Sequence, residues 1–114
     1  DFRHIKLATD DLKKQLVEKG YFTANELQGE QVNMALYRRY VERMLAQDAR
    51  VNHHLSCLVR QLEATSSGLP LEFYFFLSDK EWVAYEHQVA DLMEKIYALA
   101  ADFDVLIYQA TPQQ

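Results

Sequence analysis

An α+β domain is predicted by three observations. Two apolar runs with period-two alternation, inside Val51 to Ser78, flank a Ser-Ser-Gly turn; longer segments on either side carry apolar residues at helical spacing; and short strand-like runs stand at both ends of the chain. The hairpin segment selects its own register. Leu71, Phe73, Phe75 and Leu77 take one face of the second strand, and Glu72, Tyr74 and Phe76 take the other. On the first strand Leu55, Cys57, Val59 and Gln61 alternate with Ser56, Leu58, Arg60 and Leu62, so only one parity of pairing sets apolar against apolar. Val59 opposite Phe73 and Cys57 opposite Phe75 satisfies that parity. The same register sets Arg60 opposite Glu72 on the outer face and leaves Ala64 to Gly68 as the loop.

In chain order, Phe2 to Leu7 is a strand candidate. Thr9 then has the character of an N-cap, with Asp10 and Asp11 favourably placed in the first turn of a helix. Leu12, Leu16 and Val17 form its apolar stripe and Gly20 closes it. Within residues 21 to 32, Thr23 and Glu26 have capping-box spacing, which predicts a brief helical turn ended by Gly29. Asn33 caps a longer helix to about Gln47, on which Tyr37, Tyr40, Val41, Met44 and Leu45 share a face and Arg38, Arg39, Glu42 and Arg43 lie off it. After the hairpin, Ser78 and Glu81 form a second capping box that opens a helix from about Asp79 to Ala101. Trp82, Tyr85, Val89, Leu92, Met93, Ile96, Leu99 and Ala100 give it a strong amphipathic pattern, predicting a core-facing helix. Asp104 to Gln109 returns as a strand. The resulting order is β-α-β-β-α-β with an extra helical insertion after the first strand, the order of a ferredoxin-like sandwich.

A chain of 114 residues accommodates one domain, here 1–114. Twelve basic against 17 acidic side chains leave a net charge of −5, which lacks the basic footprint of a phosphate-binding protein, so no nucleic-acid partner is expected. Cys57 is the only cysteine and cannot form an internal disulfide, which points to a reducing compartment such as the cytoplasm. No apolar run reaches the roughly 20 residues that cross a bilayer. The chain starts at Asp1 inside a strand candidate, so it is expected to be excised from a longer protein, and any membrane contact belongs to absent upstream segments.

Catalytic constellations are scarce. His53 and His54, adjacent on a strand, would point to opposite faces and could not chelate one metal together. His4 and His87 have no second ligand at useful spacing, and Cys57 on the inner face would be an inert buried thiol. Glu86 and Asp91, five apart on one helix, do not face each other as a catalytic carboxylate pair would. Three glycines, Gly20, Gly29 and Gly68, make no phosphate-binding loop. No enzymatic activity, cofactor or metal is expected.

The functional signal is the outer face of the hairpin, where Leu58, Leu62, Tyr74 and Phe76 surround Arg60 and Glu72. An apolar patch of that kind marks a contact surface. Two other readings stand beside it. Residues 21 to 32 could fold over the face, or Tyr74 and Phe76 could stack bases as third-strand aromatics do in RNA-recognition domains, although the basic surroundings and the glycine-containing ribonucleoprotein motif are missing.

The segments LVRQL at 58–62 and GLPLEFY at 68–74, together with Trp82, Tyr85, Glu86, Gln88 and Asp91, resemble the cytoplasmic C-terminal domain of miniconductance-type mechanosensitive channels, relatives of the small-conductance channel of bacterial inner membranes. Asn33, Tyr37, Arg38 and Tyr40 resemble the family's Asn then Phe-Arg-x-Tyr segment, so the likeness runs over residues 33–109. Ala64 departs from the proline the family tends to carry after the strand, and LMEK at 92–95 replaces its usual IFDH. The resemblance implies a parent in the cell inner membrane, with this domain on the cytoplasmic side contributing to a ring-shaped vestibule. Its partners would be other subunits of a homo-oligomeric channel that opens under membrane tension during hypoosmotic shock. A stand-alone ferredoxin-like regulatory or interaction module that binds a small ligand is the competing expectation.

Overall fold

Helix α1 (Asp10–Glu18) begins at the expected cap. In the computed structural model, which describes residues 5–107, the Thr9 hydroxyl oxygen accepts the Leu12 N–H at 3.1 Å, and Asp10 and Asp11 occupy the positive end of the helix. Leu12 and Leu16 are buried and Val17 packs beside them. The chain leaves through Gly20 at φ 80, and the Tyr21 N–H donates back to the Leu16 carbonyl at 3.0 Å. That left-handed reversal is one that glycine adopts without steric penalty.

The predicted capping box in the insertion is present and reciprocal. The Thr23 N–H donates to Glu26 Oε1 at 2.8 Å and the Glu26 N–H donates to Thr23 Oγ1 at 3.3 Å, around a 3₁₀ turn at Asn25–Leu27. Arg43 of the next helix ties this segment down. Its guanidinium lies 2.6 Å from Glu26 Oε2, donates to the Tyr21 carbonyl and sits 5.1 Å from the centre of the Phe22 ring. The Thr23 N–H and then Arg43 hold the Glu26 carboxyl below its ordinary range.

Helix α2 (Asn33–Gln47) buries Met34, Leu36, Tyr37, Val41 and Leu45. Its first residue does more than cap. The Asn33 side chain is fully buried; its Oδ1 accepts the Lys6 N–H at 3.0 Å and the Met34 N–H at 2.8 Å, while its Nδ2 donates to the Phe103 and Asp104 carbonyls at 3.1 and 3.2 Å. Val32 holds the N-cap position instead.

Strands β1 (Leu58–Gln61) and β2 (Leu71–Tyr74) pair antiparallel in the predicted register, Val59 with Phe73 and Arg60 with Glu72. The ladder is shorter than expected. At the loop end the Leu62 N–H reaches the Pro70 carbonyl at 3.0 Å, but proline has no N–H to return. Thr65 and Gly68 then close a tight turn over Ser66 and Ser67. At the other end Cys57 and Phe75 lie outside the ladder, and pairing resumes only as an isolated bridge between Val51 and Leu77. The intervening residues loop out, led by an Asn52 side chain that accepts the His54 N–H at 3.0 Å. His53, His54 and Leu55 are therefore exposed turn residues rather than strand residues, which removes the premise that the two imidazoles alternate between faces.

Helix α3 (Trp82–Ala100) starts three residues later than predicted, and its N-cap is Glu81, whose carboxylate accepts the Ala84 N–H at 2.8 Å. Ser78 stays beside the Val51–Leu77 bridge, and its N–H, which a capping box would give to Glu81, donates to the Arg50 carbonyl at 2.9 Å instead. Leu92, Ile96 and Ala100 are buried, but Trp82 is 73% exposed and Tyr85 39%, so only the C-terminal half of the amphipathic stripe faces the core. A 3₁₀ turn (Ala101–Phe103) follows, and Asp104 at φ 55 reverses the chain. Phe103 is fully buried, stacked 5.6 Å from Tyr21 and packed against Phe22, Tyr37 and Tyr40.

The fold is α+β: three helices around one two-stranded antiparallel sheet among the described residues. Two further strands of a ferredoxin-like sheet are not formed there. Leu7 meets Val32 in an isolated bridge instead of joining the hairpin, and residues 104–107 are a reversal and an irregular segment. Phe2 to His4 and residues 108 and 109 of the two predicted strands lie outside the described residues. No described helix is long and apolar enough to cross a membrane.

Replacing Asn33 by Ala is expected to cost about 2–3 kcal/mol, because buried donors and acceptors from two distant segments lose their partner. Urea denaturation of the two proteins measures it. A second expectation concerns acid. The Arg50 guanidinium meets both Asp48 oxygens, at 3.0 and 2.9 Å, and holds that carboxyl at about 2, while Lys19 and then Tyr21 hold Asp102 below its ordinary range. Folded values below unfolded ones mean stability that is complete above about pH 4 and is lost as pH falls toward 2. Asp48→Asn should lower stability at pH 7 by about 1–2 kcal/mol and flatten the decline below pH 4, read from thermal melts across that range.

Candidate interaction surface

Period-two alternation on a paired hairpin places residues that are directly opposite one another on the same face. Leu58 lies opposite Tyr74 and Arg60 opposite Glu72, so these four share the outer face, with Phe76 and Leu62 continuing it at either end. Arg60 Nε donates to Glu72 Oε1 at 2.8 Å, with the two side chains 60% and 37% exposed. A pair so open to solvent contributes about 0.2–1 kcal/mol to the hairpin. Tyr74 and Phe76 meet edge-to-face with ring centres 5.3 Å apart. Their exposures, 43% and 40%, match those of Leu62 at 38% and Leu58 at 36%. The six predicted surface residues thus form one face, charged in the middle and apolar at both ends.

Residues 21 to 32 do not lie over it. Tyr21 and Phe22 pack on Tyr40 and Phe103, and the Glu26–Arg43 pair secures the same segment to α2. What supports the hairpin comes from behind. Val59 is buried against the helices, and its N–H donates to Glu42 Oε1 at 3.0 Å, so a side chain of α2 occupies the open edge of β1.

The inner face holds a feature that the sequence pattern did not disclose. Leu71 and Phe73 are only half-buried because they line a cavity of about 300 Å³ with Met34, Tyr37, Met93 and Tyr97, closed on a further side by residues 105–107. The side chains that line it are aliphatic, methionine or aromatic, and polar atoms contribute a substantial minority of its surface. The Tyr37 hydroxyl donates to the Ile96 carbonyl at 2.6 Å, and burial pushes its pKa up to about 12, so it stays protonated. Each of the four segments that contribute is legible alone, but their convergence is tertiary, and no local signal reveals it.

The titratable groups considered from sequence are dispersed. Cys57 is half-buried, and burial followed by the Glu42 charge pushes its thiol up, away from thiolate reactivity. Asp91 faces Arg50 at 3.5 Å, while Glu86 and His87 are exposed on α3. His4 lies outside the described residues. Among the described residues, no three His, Cys, Asp or Glu side chains are grouped to hold a metal ion. The Asp48–Arg50–Asp91 connection, which ties the end of α2 to α3, was not anticipated; an acidic residue two before an arginine at a helix end is its only trace in sequence.

Compared with known proteins, the chain matches no family model and no solved structure.

Proposed function

We propose that this chain is a non-enzymatic contact module, the cytoplasmic vestibule domain of a bacterial mechanosensitive channel that opens under membrane tension during hypoosmotic shock. One observation carries the contact reading: Leu58, Leu62, Tyr74 and Phe76 remain exposed together on a face that no other described segment covers. The channel reading adds the motif blocks at 33–40, 58–62, 68–74 and 82–91, which resemble the miniconductance-type family. The parent would lie in the inner membrane with this domain on its cytoplasmic side, meeting other subunits of a homo-oligomer. The domain would filter, assemble or modulate, leaving tension sensing to upstream segments. A ferredoxin-like arrangement is proposed with it, supported by the helix–hairpin–helix order of α2, β1, β2 and α3 and by residues 105–107 lining the same cavity as Leu71 and Phe73.

The cavity favours a second reading, a stand-alone module that takes a small apolar ligand between its sheet and helices. The gene upstream of Asp1 separates the two. Coding for apolar helices followed by a small β domain supports the channel, whereas a start codon next to Asp1 removes it.

In the full-length parent, replacing Tyr74 and Phe76 together by Ser should shift assembly or the open–closed balance while leaving the inner core intact. Large apolar side chains lost from a contact cost about 1–3 kcal/mol each, enough to move such an equilibrium several-fold or more. Patch-clamp recording under suction measures it, with expression checked in parallel. A wild-type parent that never conducts under tension overturns the channel; unchanged gating and assembly in the double variant overturns the role of this face.

A further inference from the structure

We propose that the outer face of the hairpin is built to pair with the same face of a second copy of this chain. The inference rests on reading this face as a contact surface but not on the channel parent: a pair that closes on itself takes the face out of any ring of subunits, so the two readings compete for it. Two stacked sheets lie about 10 Å apart with strands nearly aligned. Consider a twofold axis between them, parallel to the strands. Rotation about it carries each residue to the place of its cross-strand neighbour, so one copy's Arg60 comes to stand over the other's Glu72, and its Leu58 over the other's Tyr74. The observed register therefore makes the face complementary to itself: opposite charges meet in the middle and apolar side chains meet at one end. At the other end Leu62 comes over Pro70, its hydrogen-bonded neighbour.

The charges also select the axis. A twofold running across the strands would set Arg60 over Arg60 and Glu72 over Glu72, a like-charge arrangement that is strongly disfavoured in a drying interface. The same two charges that pair within one hairpin at 2.8 Å can thus form a four-membered alternating square between two. Both are exposed enough to do so, and the apolar residues around them exclude water from the square. A closed isologous contact of this kind uses one patch twice and stops at two copies. A two-stranded face is smaller than the roughly 800 Å² per partner of a standard interface, so the dimer is expected to be weak and concentration-dependent.

Sedimentation equilibrium of the 114-residue chain over a broad concentration range tests it. The wild-type chain should dimerise, and Arg60→Glu or Glu72→Arg alone should weaken association by at least roughly tenfold, because each places like charges across the axis. An equimolar mixture of R60E and E72R chains should dimerise again, since one then presents two carboxylates and the other two guanidinium groups. A control mixture of K14E and E18K chains, altered on α1, should show no gain over wild type. Circular dichroism establishes that each variant is folded. A wild-type chain that stays monomeric, single variants that dimerise unchanged, or a mixture that fails to associate would each overturn the pairing. A monomeric chain from a parent that gates through Tyr74 and Phe76 sinks the pairing alone; a dimer from a parent that never conducts sinks the channel alone.

Discussion

The fold turns on one buried amide. Three chain segments meet where α2 begins, and each brings backbone groups that no helix or strand can satisfy: the Lys6 N–H and the carbonyls of Phe103 and Asp104, where α3 has already ended. An asparagine offers one acceptor and two donors at fixed angles, which is the set this junction needs. Asn33 supplies it, and the Asn33 N–H adds a bond to the Lys6 carbonyl at 2.9 Å. Phe103, brought next to that junction, then becomes the centre on which Tyr21, Phe22, Tyr37 and Tyr40 pack. The aromatic cluster and the polar knot depend on each other. A ring in that position keeps water from the amide, and the amide stops the 3₁₀ turn from unwinding into solvent.

What was legible in the sequence follows from which signals are local. The Thr9 cap, the Thr23–Glu26 box and the exit at Gly20 each involve residues within a few positions, and they stand where expected. The hairpin register is less local, yet parity excluded any one-residue slip because it would have set Arg60 against the apolar face. Signals failed where a distant segment competed for the same group. Ser78 and Glu81 had the spacing of a capping box, but the Ser78 N–H went to Arg50 and the Glu81 carboxylate to the Ala84 N–H, with Glu81 itself the cap. The same periodicity that identified α3 could say which residues share a stripe but not how far along it the core extends, which is why Trp82 is exposed at one end and Ala100 buried at the other.

Of the candidate surface, the outer six residues were readable because alternation alone defines them. The cavity behind Leu71 and Phe73 was not, since an apolar side chain facing a void has the same sequence signature as one facing a neighbour. Nor could composition decide where residues 21 to 32 would fold. Their placement came down to Arg43, a residue off the apolar stripe whose guanidinium engages a carboxylate, a carbonyl and a ring at once.

A two-stranded ribbon is marginal in isolation, and one with a solvent-facing apolar side is more so. This one persists because its support and its outer face are separate. Val59 anchors it to the core, Glu42 occupies the free edge of β1, and the Val51–Leu77 bridge fastens the base. None of these contacts involves Leu58, Leu62, Tyr74 or Phe76. The outer side chains are thus tied only to one another, through the Leu58–Tyr74 cross-strand pair and the Tyr74–Phe76 contact, and the apolar area they leave in water adds nothing to the stability of the single domain. The free energy stored in that exposure is released only when something covers the face, and the hairpin, held from behind and at its edge, is the rigid platform such a contact requires.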